Sequence, residues 1–195
     1  ASARLACTMT LIATQPHLGL VCITVSKEVR YRTLTRKRLL DLSEEGQQRA
    51  LEDIYRDNIQ TLDNALRYCE REGIRLYRMP SSIFPFADEP FGLAILEKFK
   101  DTLGRSGQRA TERGIRLVMH PDQFVVLSSD SENVVANSVK ILQMHADIMD
   151  LLEQPRSPWA LLEIHGGKSD REDQLVARIA ELPEAIRSRL CLEND

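Results

Sequence analysis

The sequence predicts an α/β fold that forms the first five β/α units of a (β/α)8 barrel of the TIM type. Short apolar segments alternate with long amphipathic segments along the 195 residues, as parallel strands and covering helices do. One unit of helix end, strand and proline also occurs twice, at Arg71–Pro80 and Glu112–Pro121, with its glycines, Gly73 and Gly114, 41 residues apart. A repeated β/α unit has this pattern. No linker interrupts it, so we predict a single domain over residues 1–195.

The same alternation also fits an open, doubly wound sheet, which commonly binds nucleotides. Neither GxGxxG nor GxxxxGK[ST] follows any predicted strand, so the usual nucleotide-binding loop of that architecture is missing. Polar residues collect at the strand ends instead, where a barrel builds its active site. A complete barrel takes about 250 residues. We therefore expect an incomplete barrel that ends on a strand.

Each predicted strand is a short apolar segment bounded by glycine, proline or polar residues. The strands are Leu18–Val25, Ile74–Met79, Ile115–Met119, Trp159–His165 and Leu190–Glu193. Each predicted helix carries apolar residues at steps of three and four. The helices run from Ser43 to Gly73, from Phe91 to Arg113, from Glu132 to Leu152 and from Arg171 to Ala180. Ser43 is a typical N-cap, and Gly104 and Gly107 are expected points of interruption in the second helix.

Composition excludes several classes of protein. The longest apolar runs fall far short of the roughly 20 residues of a membrane-spanning helix. Four cysteines lie far apart without a CxxC pair, which favours reduced thiols in a cytoplasmic protein. A net charge of −3 excludes a general polyanion-binding protein, so any nucleic acid must contact a local patch. One such patch is Lys27–Arg38, with six basic residues against one acid; a solvated charged surface is its alternative interpretation.

Three residues with metal-ligating side chains lie at predicted strand ends: His120, His165 and Glu193. Parallel neighbouring strands would bring them together as a set of two histidines and a carboxylate, which suits Zn²⁺ or Mn²⁺. Taken singly, each could instead be a hydrogen-bonded core histidine or a capping carboxylate. The GxSxG motif is absent, so nothing in the sequence supports acyl transfer.

Six stretches of the sequence carry distinctive motifs: Arg30–Leu34, Asn58–Gly73, Leu76–Pro85, His120–Gln123, Ile164–Gly167 and Leu192–Asp195. In this order, along nearly the whole chain, they resemble the UV damage endonuclease family. The resemblance implies a (β/α)8 barrel related to the endonuclease IV type of AP endonucleases. It also implies a metal-dependent DNA repair enzyme, which nicks the DNA backbone immediately 5′ of pyrimidine dimers and 6-4 photoproducts to start excision repair.

The resemblance also assigns roles to individual residues. His120, His165 and Glu193 match the family's catalytic metal ligands, with Mn²⁺ as the first choice and Zn²⁺ or Mg²⁺ as alternatives. A further family histidine falls on Glu89, which we expect to be another metal ligand. Gln123 and Phe124 match the pair that probes the DNA lesion. In such an enzyme, basic side chains are expected to contact the DNA backbone; these are Arg30, Arg32, Arg36, Lys37 and Lys168.

The expected partner is double-stranded DNA that contains UV photoproducts, bound by a full-length monomer acting at the nucleoid. In the family the remaining ligands come from strands that would follow Asp195. We therefore expect these 195 residues alone to bind at most one metal and to nick damaged DNA poorly. A metal-dependent sugar isomerase or epimerase on the same barrel is an alternative to this interpretation. A non-catalytic DNA-binding fragment is another.

Overall fold

The structure, a computed structural model, describes residues 18–121, 123–167 and 170–193. Its strands are β1 (Leu20–Val21), β2 (Leu76–Met79), β3 (Arg116–Met119), β4 (Leu162–His165) and β5 (Leu190–Glu193). Its helices are α1 (Arg36–Leu40), α2 (Glu44–Arg71), α3 (Pro90–Glu97), α4 (Lys100–Glu112), α5 (Glu132–Leu151), α6 (Glu172–Glu181) and α7 (Glu184–Arg187), with a 3-10 turn at Pro158–Ala160. Within the described ranges, no helix is both long enough and apolar enough to cross a membrane.

The five strands form one sheet in the order β1-β2-β3-β4-β5, and every neighbouring pair is parallel. Strand β2 pairs with β3 from Leu76 opposite Arg116 onward, and β4 pairs with β5 up to His165 opposite Glu193. Since parallel strands all point the same way, their carboxyl ends meet at one edge of the sheet. The loops that follow the strands therefore share that edge, where α/β proteins build their sites.

The two faces of the sheet differ in polarity because successive strand residues point to opposite sides. One face is apolar and packs against the helices; its members are exposed by 2% or less, and they are Tyr77, Met79, Leu117, Met119, Leu162 and Ile164. The other face carries the polar residues of the same strands: Arg78, Arg116, Glu163, His165 and Glu193. Apolar burial thus fixes which side of each strand presents the polar side chains.

The first predicted strand is wrong in length. Only Leu20–Val21 of the predicted Leu18–Val25 pairs with β2. The chain leaves the extended region at Cys22, whose φ is 58°, and Val25 is fully exposed. The apolar, β-branched segment turns away from the sheet because Cys22, directly after Val21, has a left-handed backbone conformation that does not continue a strand.

The second predicted helix is also wrong, because Phe91–Arg113 forms two helices rather than one. The first ends in a tight turn in which the Phe99 N–H donates to the Leu96 carbonyl at 2.9 Å. Gly104 and Gly107, the expected points of interruption, both lie inside α4. The break therefore comes from the turn at Phe99 and not from the glycines.

Gly107 has a packing role instead. A Cβ atom there would lie 1.7 Å from the carbonyl oxygen of Leu152, the residue that follows α5. Only glycine lets α4 approach the end of α5 this closely. At Gly104 the nearest atom to an added Cβ would be Oε1 of Glu153, at 2.8 Å, which is the mobile end of a long side chain.

The remaining elements follow the predictions with shifted bounds. Ser43 caps α2, its hydroxyl accepting from the Gly46 N–H at 3.3 Å. The fourth strand starts later than the predicted Trp159, because proline at residue 158 opens a 3-10 turn before Leu162. Helices α1 and α7 were not predicted, and the last strand has the predicted bounds.

Arg189, directly before β5, is completely buried. It donates to Asp150 Oδ1 at 2.7 Å and to the carbonyls of Gln154, Pro155 and Ala185 at 2.7, 3.2 and 3.2 Å. A buried guanidinium needs such a full set of acceptors, because an unpaired buried charge is strongly destabilising. Arg189 thereby ties the start of β5 to the end of α5.

We expect Gly107→Ala to destabilise the protein by about 1–3 kcal/mol, because the added methyl group would overlap the Leu152 carbonyl. Gly104→Ala, on the same helix, is the matched control and should be neutral or stabilising by up to about 1 kcal/mol, since alanine favours helix and the Glu153 carboxylate can move. Urea unfolding of both variants measures the difference. Equal stability of the two variants would mean that α4 and α5 do not approach as described.

Candidate metal centre and its surroundings

Three side chains meet at the carboxyl edge of the sheet. His120 follows β3 directly, while His165 and Glu193 are the last residues of β4 and β5. Glu193 Oε2 lies 3.4 Å from His120 Nε2 and 3.0 Å from His165 Nδ1. The two imidazole rings meet edge to face with centroids 5.0 Å apart. The expected convergence of these three residues is confirmed.

Strand pairing explains the convergence. His165 and Glu193 are direct partners across the β4–β5 pair, and paired strands lie about 4.8 Å apart. His120 reaches the same place from β3, whose Met119 pairs with Leu162. Because His165 and Glu193 are paired and successive strand residues alternate between faces, both point to the polar face of the sheet, where His120 meets them.

The geometry fits one divalent cation. The three ligating atoms all lie within 4.8 Å of one another, and an ion with bonds of about 2.0–2.2 Å holds its ligand atoms about 3–4.4 Å apart. Two imidazole nitrogens and a carboxylate oxygen are a donor set that Zn²⁺ and Mn²⁺ accept. Among the described residues, no other group of three His, Cys, Asp or Glu side chains has this geometry. These three side chains could therefore hold a metal.

The candidate metal centre is accessible from solvent. The His165 and Glu193 side chains are each 40% exposed, and His120 is 17% exposed. Three protein ligands leave coordination positions open on a four- to six-coordinate ion. An open position on the accessible side is the arrangement of a catalytic rather than a purely structural metal site.

An ion pair lies on the same face, one step earlier along the strands. Arg78 on β2 approaches Glu163 on β4, with Nη1 and Oε2 3.9 Å apart. Glu163 precedes His165 by two residues and so shares its side of β4. Sequence reasoning missed this carboxylate, although its spacing of two from His165 was a usable signal. The pair places one positive and one negative charge on the polar face behind the candidate metal centre.

The loops after β3 and β4 are in close contact beside His165. Gly167 has a φ of +86°, a backbone conformation that favours glycine. A Cβ atom there would lie 2.2 Å from the hydroxyl oxygen of Ser128. Glycine at this position therefore lets the two loops approach each other at the edge of the candidate metal centre.

Gln123 and Phe124, the predicted lesion-probing pair, lie in the turn after His120. Both are exposed, and Phe124 is 67% exposed despite its large apolar ring. The ring is therefore free to stack on another molecule. Its proximity along the chain to His120 places it at the same edge of the sheet as the three candidate ligands.

Glu89, the expected further metal ligand, forms ion pairs with two basic side chains. It lies at the N-cap of α3, outside the group formed by the three candidate ligands. Its Oε1 lies 3.1 Å from Arg36 Nη2 and 3.2 Å from Lys140 Nζ. Hydrogen bonds from Arg36 and then from Lys140 lower the pKa of the Glu89 carboxyl. Glu89 is therefore an ionised partner of two cations.

The other residues expected to contact DNA differ in whether they form ion pairs within the protein. Arg32 forms an ion pair with Asp57, and Arg36 pairs with Glu89. Arg30 and Lys37 are exposed and have no ion pair in the described part of the chain. Lys168 lies outside the described residues.

The basic segment is anchored to the fold. Asn58 on α2 is buried, accepts from the Arg32 N–H at 2.8 Å, and donates to the carbonyls of Arg32 and Ile83 at 2.9 and 2.7 Å. The hydroxyls of Tyr31 and Tyr77 are 2.6 Å apart, and burial raises the pKa of both tyrosines. These contacts give the backbone of the basic segment a defined position beside β2.

Comparison with known proteins identifies close relatives. The family model described as UV-endonuclease UvdE matches residues 16–195. The UV DNA damage endonuclease of Nostoc sp. is 52% identical over 93% of this chain, and that of Deinococcus radiodurans is 46% identical over 92%. The crystal structure of SacUVDE covers 93% of the chain with a TM-score of 0.80 at 29% identity.

The chain spans about three fifths of the length of these proteins. It covers 57% of the Nostoc relative, 60% of the Deinococcus relative and 61% of the SacUVDE chain.

We expect the protein to bind one Mn²⁺ ion through the three candidate ligands. At a free Mn²⁺ concentration about 100 times the dissociation constant, binding should raise the free energy of unfolding by about 2.7 kcal/mol. His120→Ala, His165→Ala and Glu193→Gln should each abolish the gain. Glu172→Gln, an exposed carboxylate of α6, should leave it unchanged. Thermal unfolding with and without Mn²⁺ measures the effect, and a gain that survives all three substitutions would place the ion elsewhere.

Proposed function

The chain belongs to the UV-endonuclease UvdE family, and on that premise we propose that it acts in a metal-dependent endonuclease that nicks DNA immediately 5′ of UV photoproducts. Its fold is of the α/β, TIM-barrel type, with five parallel strands in the described residues. The observation that carries the proposal is the convergence of His120, His165 and Glu193 at the carboxyl edge of the sheet. Double-stranded DNA with pyrimidine dimers or 6-4 photoproducts is the proposed substrate.

The three ligands suit phosphodiester hydrolysis. When bound, a divalent cation, Mn²⁺ in first place with Zn²⁺ or Mg²⁺ as alternatives, supplies charge neutralisation at the phosphodiester and an acidified water. Glu193 contributes one negative charge, and neutral imidazoles contribute none. With a divalent cation bound, the three ligands and the ion would together carry a net positive charge, which attracts an anionic phosphodiester. The exposed side of His165 and Glu193 gives the DNA backbone access to it.

Gln123 and Phe124 are suited to lesion recognition in this proposal. An exposed aromatic ring can stack on a base without reading its sequence. Bases at a photoproduct are already weakly stacked and cost less to displace than intact pairs. A probe that enters the duplex next to the candidate metal centre would therefore select damaged sites by their lower unstacking cost.

Of the basic side chains expected to contact DNA, Arg30 and Lys37 are exposed and carry no ion pair among the described residues, which leaves them available to phosphates. Phosphate contacts fix the position of a protein on the duplex without selecting sequence. With the segment's backbone held by Asn58 and Tyr31, these cations would guide the duplex across the carboxyl edge of the sheet.

A nicking assay tests the proposal. We expect a chimera of this chain with the part of the Nostoc relative that it does not cover to nick UV-irradiated duplex in Mn²⁺, and to lose that activity with a chelator or with Glu193→Gln. The 195 residues alone should reach less than about a tenth of that rate, as the resemblance to the family implies. A chimera that unfolds cooperatively yet nicks irradiated and intact DNA equally would contradict the proposal.

Gln123→Ala combined with Phe124→Ala should reduce discrimination between damaged and intact duplex by about 1–3 kcal/mol, the worth of one stacked base. Affinity for intact duplex should change much less, because phosphate contacts lie on other residues. Trp159→Ala, which removes an exposed aromatic ring at the opposite end of β4, is the matched control. Fluorescence anisotropy with both duplexes at one salt concentration measures the ratio; an equal loss on both would rule out lesion probing.

A further inference from the structure

Four charged side chains form an ion-pair network beside α1, α3 and α5, which we call the rim network: Arg36, Asp88, Glu89 and Lys140. Lys140 Nζ lies 3.2 Å from both Asp88 Oδ2 and Glu89 Oε1. Arg36 Nη2 lies 3.1 Å from the same Glu89 oxygen, and its guanidinium lies over the Phe86 ring at 5.6 Å. The network thus joins three separate parts of the chain through one carboxylate oxygen.

The convergence of two cations on one oxygen is the arrangement that binds a phosphate. Guanidinium and ammonium groups both form charge-assisted hydrogen bonds to phosphate oxygens. Here an internal carboxylate, Glu89, receives those bonds. A phosphodiester carries the same single negative charge as this carboxylate, so exchanging one for the other preserves the charge balance of the network.

The rim network lies where a duplex would approach. Arg36 belongs to the connection after β1, and Glu89 belongs to the connection after β2. Both connections leave the carboxyl edge of the sheet, which also carries the candidate metal centre. Lys37, next to Arg36 in α1, is exposed. A polyanion at this edge therefore meets cations on both sides of Glu89.

The network is also accessible and weakly held. The Arg36 side chain is 63% exposed, and those of Lys140 and Glu89 are 40% and 36% exposed. Ion pairs at such exposure contribute little net free energy because water solvates the separated charges well. Displacing Glu89 from these two cations by another anion therefore requires little free energy.

We propose that Arg36 and Lys140 form a binding site for a backbone phosphate of DNA, and that Glu89 occupies this site when DNA is absent. This inference rests on the proposed function, since it names where the same substrate is held. Glu89 then competes with every duplex, damaged or intact, and weakens binding that depends on phosphate contacts alone. The role differs from the metal ligation expected at this position.

The test measures affinity for an intact 20-base-pair duplex over a range of salt concentrations. Glu89→Gln should tighten binding about three- to tenfold, because the internal competitor loses its charge. Glu52→Gln is the matched control: it also raises the net charge by one and releases a surface cation, Lys98, whose Nζ lies 2.8 Å from Glu52 Oε1. Binding by this control should stay within about twofold of the wild type.

Arg36→Met with Lys140→Met should weaken binding and flatten the plot of log affinity against log salt by about 0.9, the slope of one phosphate contact. In that background Glu89→Gln should have no effect, since the site it unblocks is gone. Mn²⁺ titration provides an independent readout: Glu89→Gln should bind the ion like the wild type, whereas His120→Ala should not.

Three results overturn the inference. They are weaker DNA binding by Glu89→Gln, equal binding by Glu89→Gln and Glu52→Gln, and a loss of Mn²⁺ affinity in Glu89→Gln comparable to that in His120→Ala. In each case the wild type still binds DNA, so the proposed function stands. Absence of salt-sensitive DNA binding in the wild type overturns the proposed function together with the inference.

Discussion

The parallel alignment of the five strands is the constraint on which the rest of the structure depends. It brings the carboxyl ends of β3, β4 and β5 to one edge, and the alternation of strand residues turns His120, His165 and Glu193 to one face. No local motif holds these three residues together, since they are separated by 45 and 28 positions along the chain. The candidate metal centre is therefore a product of sheet register rather than of a loop.

The register is maintained by features remote from the candidate metal centre. The apolar face of the strands packs on the helices. A strand with its two faces exchanged would expose its buried residues to water and would turn its candidate metal ligand into the core. The close approach of α4 and α5 at Gly107 and the buried hydrogen bonds of Arg189 fix the end of α5 against the start of β5. These contacts set the position of β5 and therefore the position of Glu193, its last residue.

Patterns that depend on neighbours in sequence could be predicted, and those that depend on distant partners could not. The Ser43 cap, the repeated strand units and the placement of the three candidate ligands at strand ends all follow from local periodicity. The end of β1 at Cys22, the break at Phe99 and the partners of Glu89 do not, because backbone turns and ion pairs between residues about 50 positions apart are settled by tertiary packing. Glu89 shows the limit most clearly, since family resemblance indicated a metal ligand and its contacts are two cations.

The most direct test of the account is a crystal structure of the protein with Mn²⁺, with data recorded at the manganese absorption edge. We expect one anomalous peak on the polar face of the sheet, about 2.0–2.2 Å from His120 Nε2, His165 Nδ1 and a Glu193 carboxylate oxygen. Glu89 should remain bound to Arg36 and Lys140 in that structure. A peak bound by Glu89, or one that contacts fewer than two of the three strand-end residues, would contradict the central claim that strand register builds the metal centre.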